Sequence, residues 1–83
     1  MDVSVYAIDK TLISVKNAKS VSLPGVLGRF CVYPNHVSII SALQKGKIEV
    51  MYLEGKTEKT KEIEIESGFF SVKNNEAIAV VKV

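Results

Sequence analysis

The chain has 83 residues, 47% of them hydrophobic and 24% charged, with a net charge of +2. That length is one domain, that balance excludes a disordered chain, and lysine and glutamate alternate too evenly for a nucleic-acid-binding patch. One cysteine permits no internal disulfide, no apolar run nears the ~18 residues of a membrane-crossing helix, and MDVSVYAIDK lacks the basic-then-apolar order of a secretory signal.

Taken in order, the chain alternates short strand patterns with turns. VSVYAI (3–8) is β-branched and aromatic, Asp9-Lys10 makes a tight turn, and TLISV (11–15) follows. In AKSVSL (18–23), Val21 and Leu23 share one face before Pro24-Gly25 breaks the ladder. RFCVY (29–33) is a short strand ended by Pro34-Asn35. VSIISAL (37–43) fits either a strand or a helical turn, since its length does not decide. The second half reads as four strands, KIEVMYLEG (47–55), KTEKTKEIEIES (56–67), FFSVK (69–73) and EAIAVVKV (76–83). Gly55 and Asn74-Asn75 accept the positive φ that hairpin turns require. In KEIEIES, Ile63 and Ile65 face a core while Glu62, Glu64 and Glu66 face water. This rhythm points to an all-β sandwich or barrel, with residues 1–83 as a single domain.

Residues 24–43, PGVLGRFCVYPNHVSIISAL, are the most irregular stretch and the natural place to look for chemistry. Cys31 and His36 suggest a nucleophile and base, but Cys31 sits between apolar Phe30 and Val32 and no helix begins nearby to lower its pKa. Cys31 is therefore expected to be a small buried thiol, and His36, just past a proline, to brace a turn. One His and one Cys cannot complete a zinc site. Gly25 and Gly28 lack the spacing and the following helix of a dinucleotide loop. No catalytic, cofactor-binding or metal-binding residue is expected.

The same residues carry a resemblance. Pro24-Gly25-x-x-Gly28, then Tyr33-Pro34-Asn35-His36, then an apolar run, Leu43-x-x-Gly46-x-Ile48, and Ser67-Gly68-Phe69-Phe70-x-Val72 occur in the order and spacing of the epsilon subunit of the F-type ATP synthase. VSVYAID resembles its first strand, so the likeness covers essentially the whole chain. The resemblance implies a flattened antiparallel β-sandwich of about ten short strands. In the family a C-terminal pair of helices follows, and a chain ending at Val83 is expected to lack it, together with the restraint on hydrolysis that those helices provide in many relatives and the ATP binding they provide in some.

For function, the resemblance implies a non-catalytic rotor part of the central stalk. It would sit at the cytoplasmic face of a bacterial inner membrane, peripheral to it, and help couple proton flow to ATP synthesis. The partners implied are the gamma subunit and the c-ring, with no nucleic acid and no small-molecule substrate or cofactor. Gly25, Val26, Leu27, Gly28, Arg29 and Phe30 fall where the family meets the c-ring. Arg29 stands where many relatives carry an acidic residue, and Cys31 where glycine is common. Ile8, His36, Val37, Ser38 and Ser41 match gamma-facing positions. A broad interface further implies an exposed apolar patch, with Tyr6, Ile8, Met51 and Leu53 as candidates. The alternative is an unrelated β-sandwich adaptor that binds a peptide or protein through an edge strand.

Overall fold

A computed structural model describes residues 1–35 and 38–83. Among the described residues nine strands follow one another: β1 (Asp2–Tyr6), β2 (Thr11–Val15), β3 (Ala18–Gly25), β4 (Gly28–Val32), β5 (Ile39–Leu43), β6 (Gly46–Glu54), β7 (Thr57–Ile65), β8 (Ser67–Lys73) and β9 (Glu76–Lys82). The stretch that length left open between strand and helical turn is a strand, β5. It pairs with β8 from Ile39 opposite Val72 to Leu43 opposite Gly68.

The strands form one hydrogen-bonded path in the order β2-β1-β9-β8-β5-β3-β6-β7, with β4 also paired to β3. The path folds over where β5 meets β3, a junction pinned at Gly25 opposite Leu43. Two layers result, β2-β1-β9-β8-β5 and β4-β3-β6-β7, packed face to face in a slab of 33 × 26 × 21 Å. The ladder between β1 and β9 is parallel, with Val3 beside Ala77 and Val5 beside Ala79, while the other ladders are antiparallel. Parallel neighbours cannot be joined by a tight turn. Here the first and last strands of the chain meet, so no direct connection is needed.

Period two decides what lies between the layers. Val3, Val5, Phe70, Val72, Ala77 and Ala79 point inward from one layer, and Val21, Leu23, Val32, Ile48 and Val50 from the other, all almost fully buried. Ala77 and Ala79 lie between the larger Val3, Val5 and Val72, Phe70 of the neighbouring strands. That small-beside-large alternation leaves room for side chains from the facing layer. Phe30 of β4 meets Phe70 of β8 across the core, with ring centroids 5.9 Å apart and planes tilted by 59°. No buried side-chain polar atom lacks a partner among the described residues.

The two ends of the slab differ in their turns. At one end Asn17, Asn35, Gly55, Asn74 and Asn75 all take positive φ, the region glycine and asparagine reach most readily. At the other end lie the turn after β1, the hairpin tip between β3 and β4, and the end of β9. The turn after β1 is closed by Ala7 N–H to the Lys10 carbonyl at 2.9 Å, the tip is tied to β5 by Val26 N–H to the Ala42 carbonyl at 3.1 Å, and the end of β9 is tied to the β7–β8 turn by Glu66 N–H to the Lys82 carbonyl at 2.7 Å.

Candidate functional site

The outward faces of the two layers have opposite chemistry. On β4-β3-β6-β7 the outward row is charged. Arg29 Nη2 donates to Glu49 Oε1 at 3.2 Å, and Lys47 Nζ to Glu62 Oε1 at 3.4 Å. The edge strand β7 carries alternating lysine and glutamate, TEKTKEIEI, which keeps an open sheet edge from pairing with other chains.

On the other layer the outward row is apolar across four strands. Ala42 lies opposite Phe69, Phe69 opposite Val80, and Val80 beside Tyr6. The next row runs Ile40, Ser71, Ile78 and Ser4. Phe69, Val80, Ile40 and Tyr6 are exposed. Lys73 and Glu76 border this surface at one end and Ser67 and Lys82 at the other. An apolar centre with a polar rim is the anatomy of a protein-binding patch.

Near this face, beyond Tyr6, a cavity of about 590 Å³ opens at the end of the slab, lined in part by Ile8, Gly68, Val80 and Val83. Gly68 is required there, because a Cβ on it would stand 2.6 Å from the Val80 carbonyl oxygen. At the same end the β3–β4 hairpin projects Val26 and Leu27, and the Leu27 side chain is fully exposed. The hairpin is braced from below: Gln44 N–H bonds the Pro24 carbonyl at 2.8 Å and Gln44 Nε2 the Gly25 carbonyl at 3.0 Å. A rigid base with a bare apolar tip is suited to contact rather than catalysis.

The residues expected to face partners fall as follows. In the loop, Gly25 is buried, Val26, Leu27 and Gly28 are exposed, Arg29 is held by Glu49, and Phe30 turns inward onto Phe70. Ile8 is fully exposed just past Tyr6, and Ser38 is exposed just before Ile40, so the two stand at opposite borders of the apolar face. Ser41 pairs with Phe70 and shares its inward side, where its hydroxyl donates to the Ala42 carbonyl at 3.1 Å. His36 and Val37 lie outside the described residues, as does the turn-bracing role expected of His36.

Two expectations are corrected. Cys31 is exposed, not buried. Phe30 and Val32 take the inward side of β4, and the side left for Cys31 is the outer, solvated face. There it sits by Tyr33, whose phenol is raised above its ordinary value of 10.0, first by a hydrogen bond with the Cys31 side chain, then by that group's charge, then by desolvation. The second correction concerns the four patch candidates, which do not form one surface. Tyr6 belongs to the apolar face and Ile8 to its border, but Met51 and Leu53 sit on the outward face of β6, on the same side as Glu49. Period two assigns each residue to a side of its own strand; it does not say to which layer that strand belongs.

Residues 1–82 match the family described as ATP synthase, Delta/Epsilon chain, beta-sandwich domain. The chain belongs to this family. Among curated relatives, the ATP synthase epsilon chain of Nitratiruptor sp. is 41% identical over 71 residues, 86% of this chain and 53% of the relative. That of Chlorobium limicola is 36% identical over 63 residues, 76% of this chain and 68% of the relative. The chain thus spans about half the length of the first of these and two thirds of the second. Among solved structures, a chain in the central stalk and c-ring of the Tetrahymena thermophila mitochondrial ATP synthase superposes with a TM-score of 0.81 at 12% identity, covering 99% of this chain and 63% of its own. At that identity the likeness establishes the fold alone.

The centre of the family member's apolar face went unread in the sequence, although a signal for it was present. Ile39-Ile40, Phe69-Phe70 and Val80-Val81 are consecutive apolar pairs inside strands. A strand with one solvated side alternates, so each pair marks a strand that is apolar on both sides.

Proposed function

We propose that this chain is the β-sandwich part of an epsilon subunit of a proton-translocating F-type ATP synthase, acting as one domain in the central stalk and catalysing nothing itself. The gamma subunit covers the outward face of β5-β8-β9-β1, and the β3–β4 tip, residues 25–30, rests on the c-ring. The complex holds the domain at the cytoplasmic face of a bacterial inner membrane, where it helps couple proton flow to ATP synthesis.

The observation that supports this most is the contrast between the two faces. One layer presents Phe69, Val80, Ile40 and Tyr6 to solvent, while the other presents paired charges. Ile8 and Ser38, two positions that the family resemblance assigns to gamma, border the apolar one. Energy also argues for a broad contact. A membrane potential of ~150 mV is worth ~3.5 kcal/mol per proton, comparable with the ~4–12 kcal/mol that stabilises a domain of this size. Such a load must be shared across an interface of roughly 800 Å² per partner.

The test is to mix the purified chain with the gamma subunit encoded in the same genome and follow the mixture by gel filtration. Co-elution at one-to-one stoichiometry is expected. Separate elution of two intact, folded proteins would overturn the reading.

A further inference from the structure

One hydroxyl interrupts the apolar face. Ser71 of β8 lies between Ile40 of β5 and Ile78 of β9, directly paired with both, and Phe69 precedes it on the same side of its own strand. Ser71 and Ile40 are exposed, and Ile78 is half-buried. Among the described residues the Ser71 hydroxyl enters no hydrogen bond. Ser41 makes the contrast: on the inward side of β5 its hydroxyl donates to the Ala42 carbonyl at 3.1 Å. Where this fold buries a side-chain polar atom, that atom has a partner among the described residues. Ser71, being exposed, is left to solvent.

Covering the face changes its position. Neighbouring strands lie ~4.8 Å apart, so Ile40 and Ile78 stand ~10 Å apart with Ser71 midway. A surface packed on both isoleucines also covers the serine between them. A hydroxyl covered without a partner loses its bonds to water and gains nothing in return. Apolar packing is also non-directional, whereas a hydrogen bond fixes a distance and an angle. The apolar rows supply contact area, and Ser71 is the point within them that discriminates one covering surface from another.

We propose that Ser71 is a specificity-determining residue of the gamma-binding face, and that gamma presents a hydrogen-bonding group to its hydroxyl. A covering surface that lacks such a group at that point is penalised. This rests on the assignment of gamma to that face.

The test measures the Kd for the gamma subunit of the same genome by titration calorimetry, with the whole chain and three variants. Ser71→Ala removes the hydroxyl. Ser71→Thr and Ser71→Val share a branched shape and differ in whether one branch is a hydroxyl or a methyl. Ser71→Ala is expected to raise the Kd about tenfold, the scale of one buried hydrogen bond lost with its partner left bare. Its Tm should stay within about 4 °C of the wild type, as for other exposed substitutions. Ser71→Thr should bind about fivefold or more tighter than Ser71→Val. An idle hydroxyl predicts the reverse order, because the extra methyl adds apolar contact.

A Kd for Ser71→Ala no higher than that of the wild type overturns the proposal. So does measurable binding by Ser71→Val as tight as that of Ser71→Thr; if neither branched side chain fits beneath gamma, Ser71→Ala decides alone. A large fall in Tm for Ser71→Ala also overturns it, since Ser71 would then serve the fold. If the wild-type chain does not bind gamma at all, the functional reading fails and the role of Ser71 falls with it. If the wild type binds and Ser71→Ala binds equally well, the functional reading stands and the role of Ser71 alone is refuted.

Discussion

Two adjacent phenylalanines should fail in opposite ways when shortened. Phe69 is 69% exposed on the outward face, and Phe70 is 1% exposed in the core. Phe70→Ala removes a ring that touches Phe30 across the layers. Truncations of that kind cost about 3–5 kcal/mol, against the ~4–12 kcal/mol available to 83 residues. At about 4–8 °C per kcal/mol for a domain of this size, the Tm should fall by at least ~12 °C. Phe69→Ala exposes little that is not already wet, and its Tm should move by no more than about 4 °C, the equivalent of ~0.5 kcal/mol. Its effect is reserved for binding. A phenylalanine buries ~150–250 Å² when covered, so about 100–170 Å² of Phe69 remains for a partner. At ~25 cal/mol per Å² that area is worth roughly 2.5–4 kcal/mol, or about sixtyfold to seven-hundredfold in Kd. Thermal unfolding followed by circular dichroism and titration calorimetry with gamma read the two effects separately. The reasoning is refuted if Phe69→Ala unfolds as early as Phe70→Ala, or if it binds gamma as tightly as the wild type.

Cys31 should react with a thiol reagent in the folded protein at the rate of an ordinary exposed cysteine; protection until unfolding would contradict its placement on the outer face. The Tyr33 phenol is raised above 10.0 chiefly by its hydrogen bond with Cys31, so Cys31→Ala should bring its absorbance titration down towards 10. Linkage fixes the sign: above pH 10 the unfolded chain releases the Tyr33 proton first, so this group's contribution to stability, present below pH 10, is lost as pH rises through the higher folded value. Gly68→Ala should destabilise by about 1–3 kcal/mol in urea unfolding, because the new Cβ would meet the Val80 backbone oxygen at 2.6 Å. Arg29→Ala should shift stability by less than about 1 kcal/mol, and less still at high salt, because both partners of its 3.2 Å pair with Glu49 are about half exposed.

Much of the fold was legible because β-structure writes itself at period two. Val21 with Leu23, and Ile63 with Ile65, turned inward as their spacing required, and Gly55 and Asn74-Asn75 took the positive φ their turns needed. What stayed hidden is non-local. Nothing near Asp2–Tyr6 announces that β1 pairs in parallel with the last strand. That pairing puts Tyr6 beside Val80 and builds the apolar row, so the row could not be assembled from the first strand alone. Met51 and Leu53 look equivalent to Tyr6 because each sits opposite its strand's core series, but the pairing of β6 with β3 and β7 that places them on the other layer, Met51 opposite Thr60 and Leu53 opposite Glu58, is a matter of register. Cys31 was legible as to side and misjudged as to surroundings, since apolar neighbours in sequence are not neighbours in space on a strand. The glycines and proline mark the loop tip, while the bond between Arg29 and Glu49, twenty residues apart, depends on the pairing of β4 and β6 with β3.

Hydroxyl-radical footprinting of side chains, with and without gamma, tests the assignment of the two faces most directly. Protection of Phe69, Tyr6, Ile40 and Val80 on complex formation, with Met51, Leu53 and Cys31 as reactive as in the free chain, is the pattern expected. Protection of Met51, Leu53 and Cys31 with Phe69 left reactive would mean that gamma sits on the charged layer, and would contradict the account.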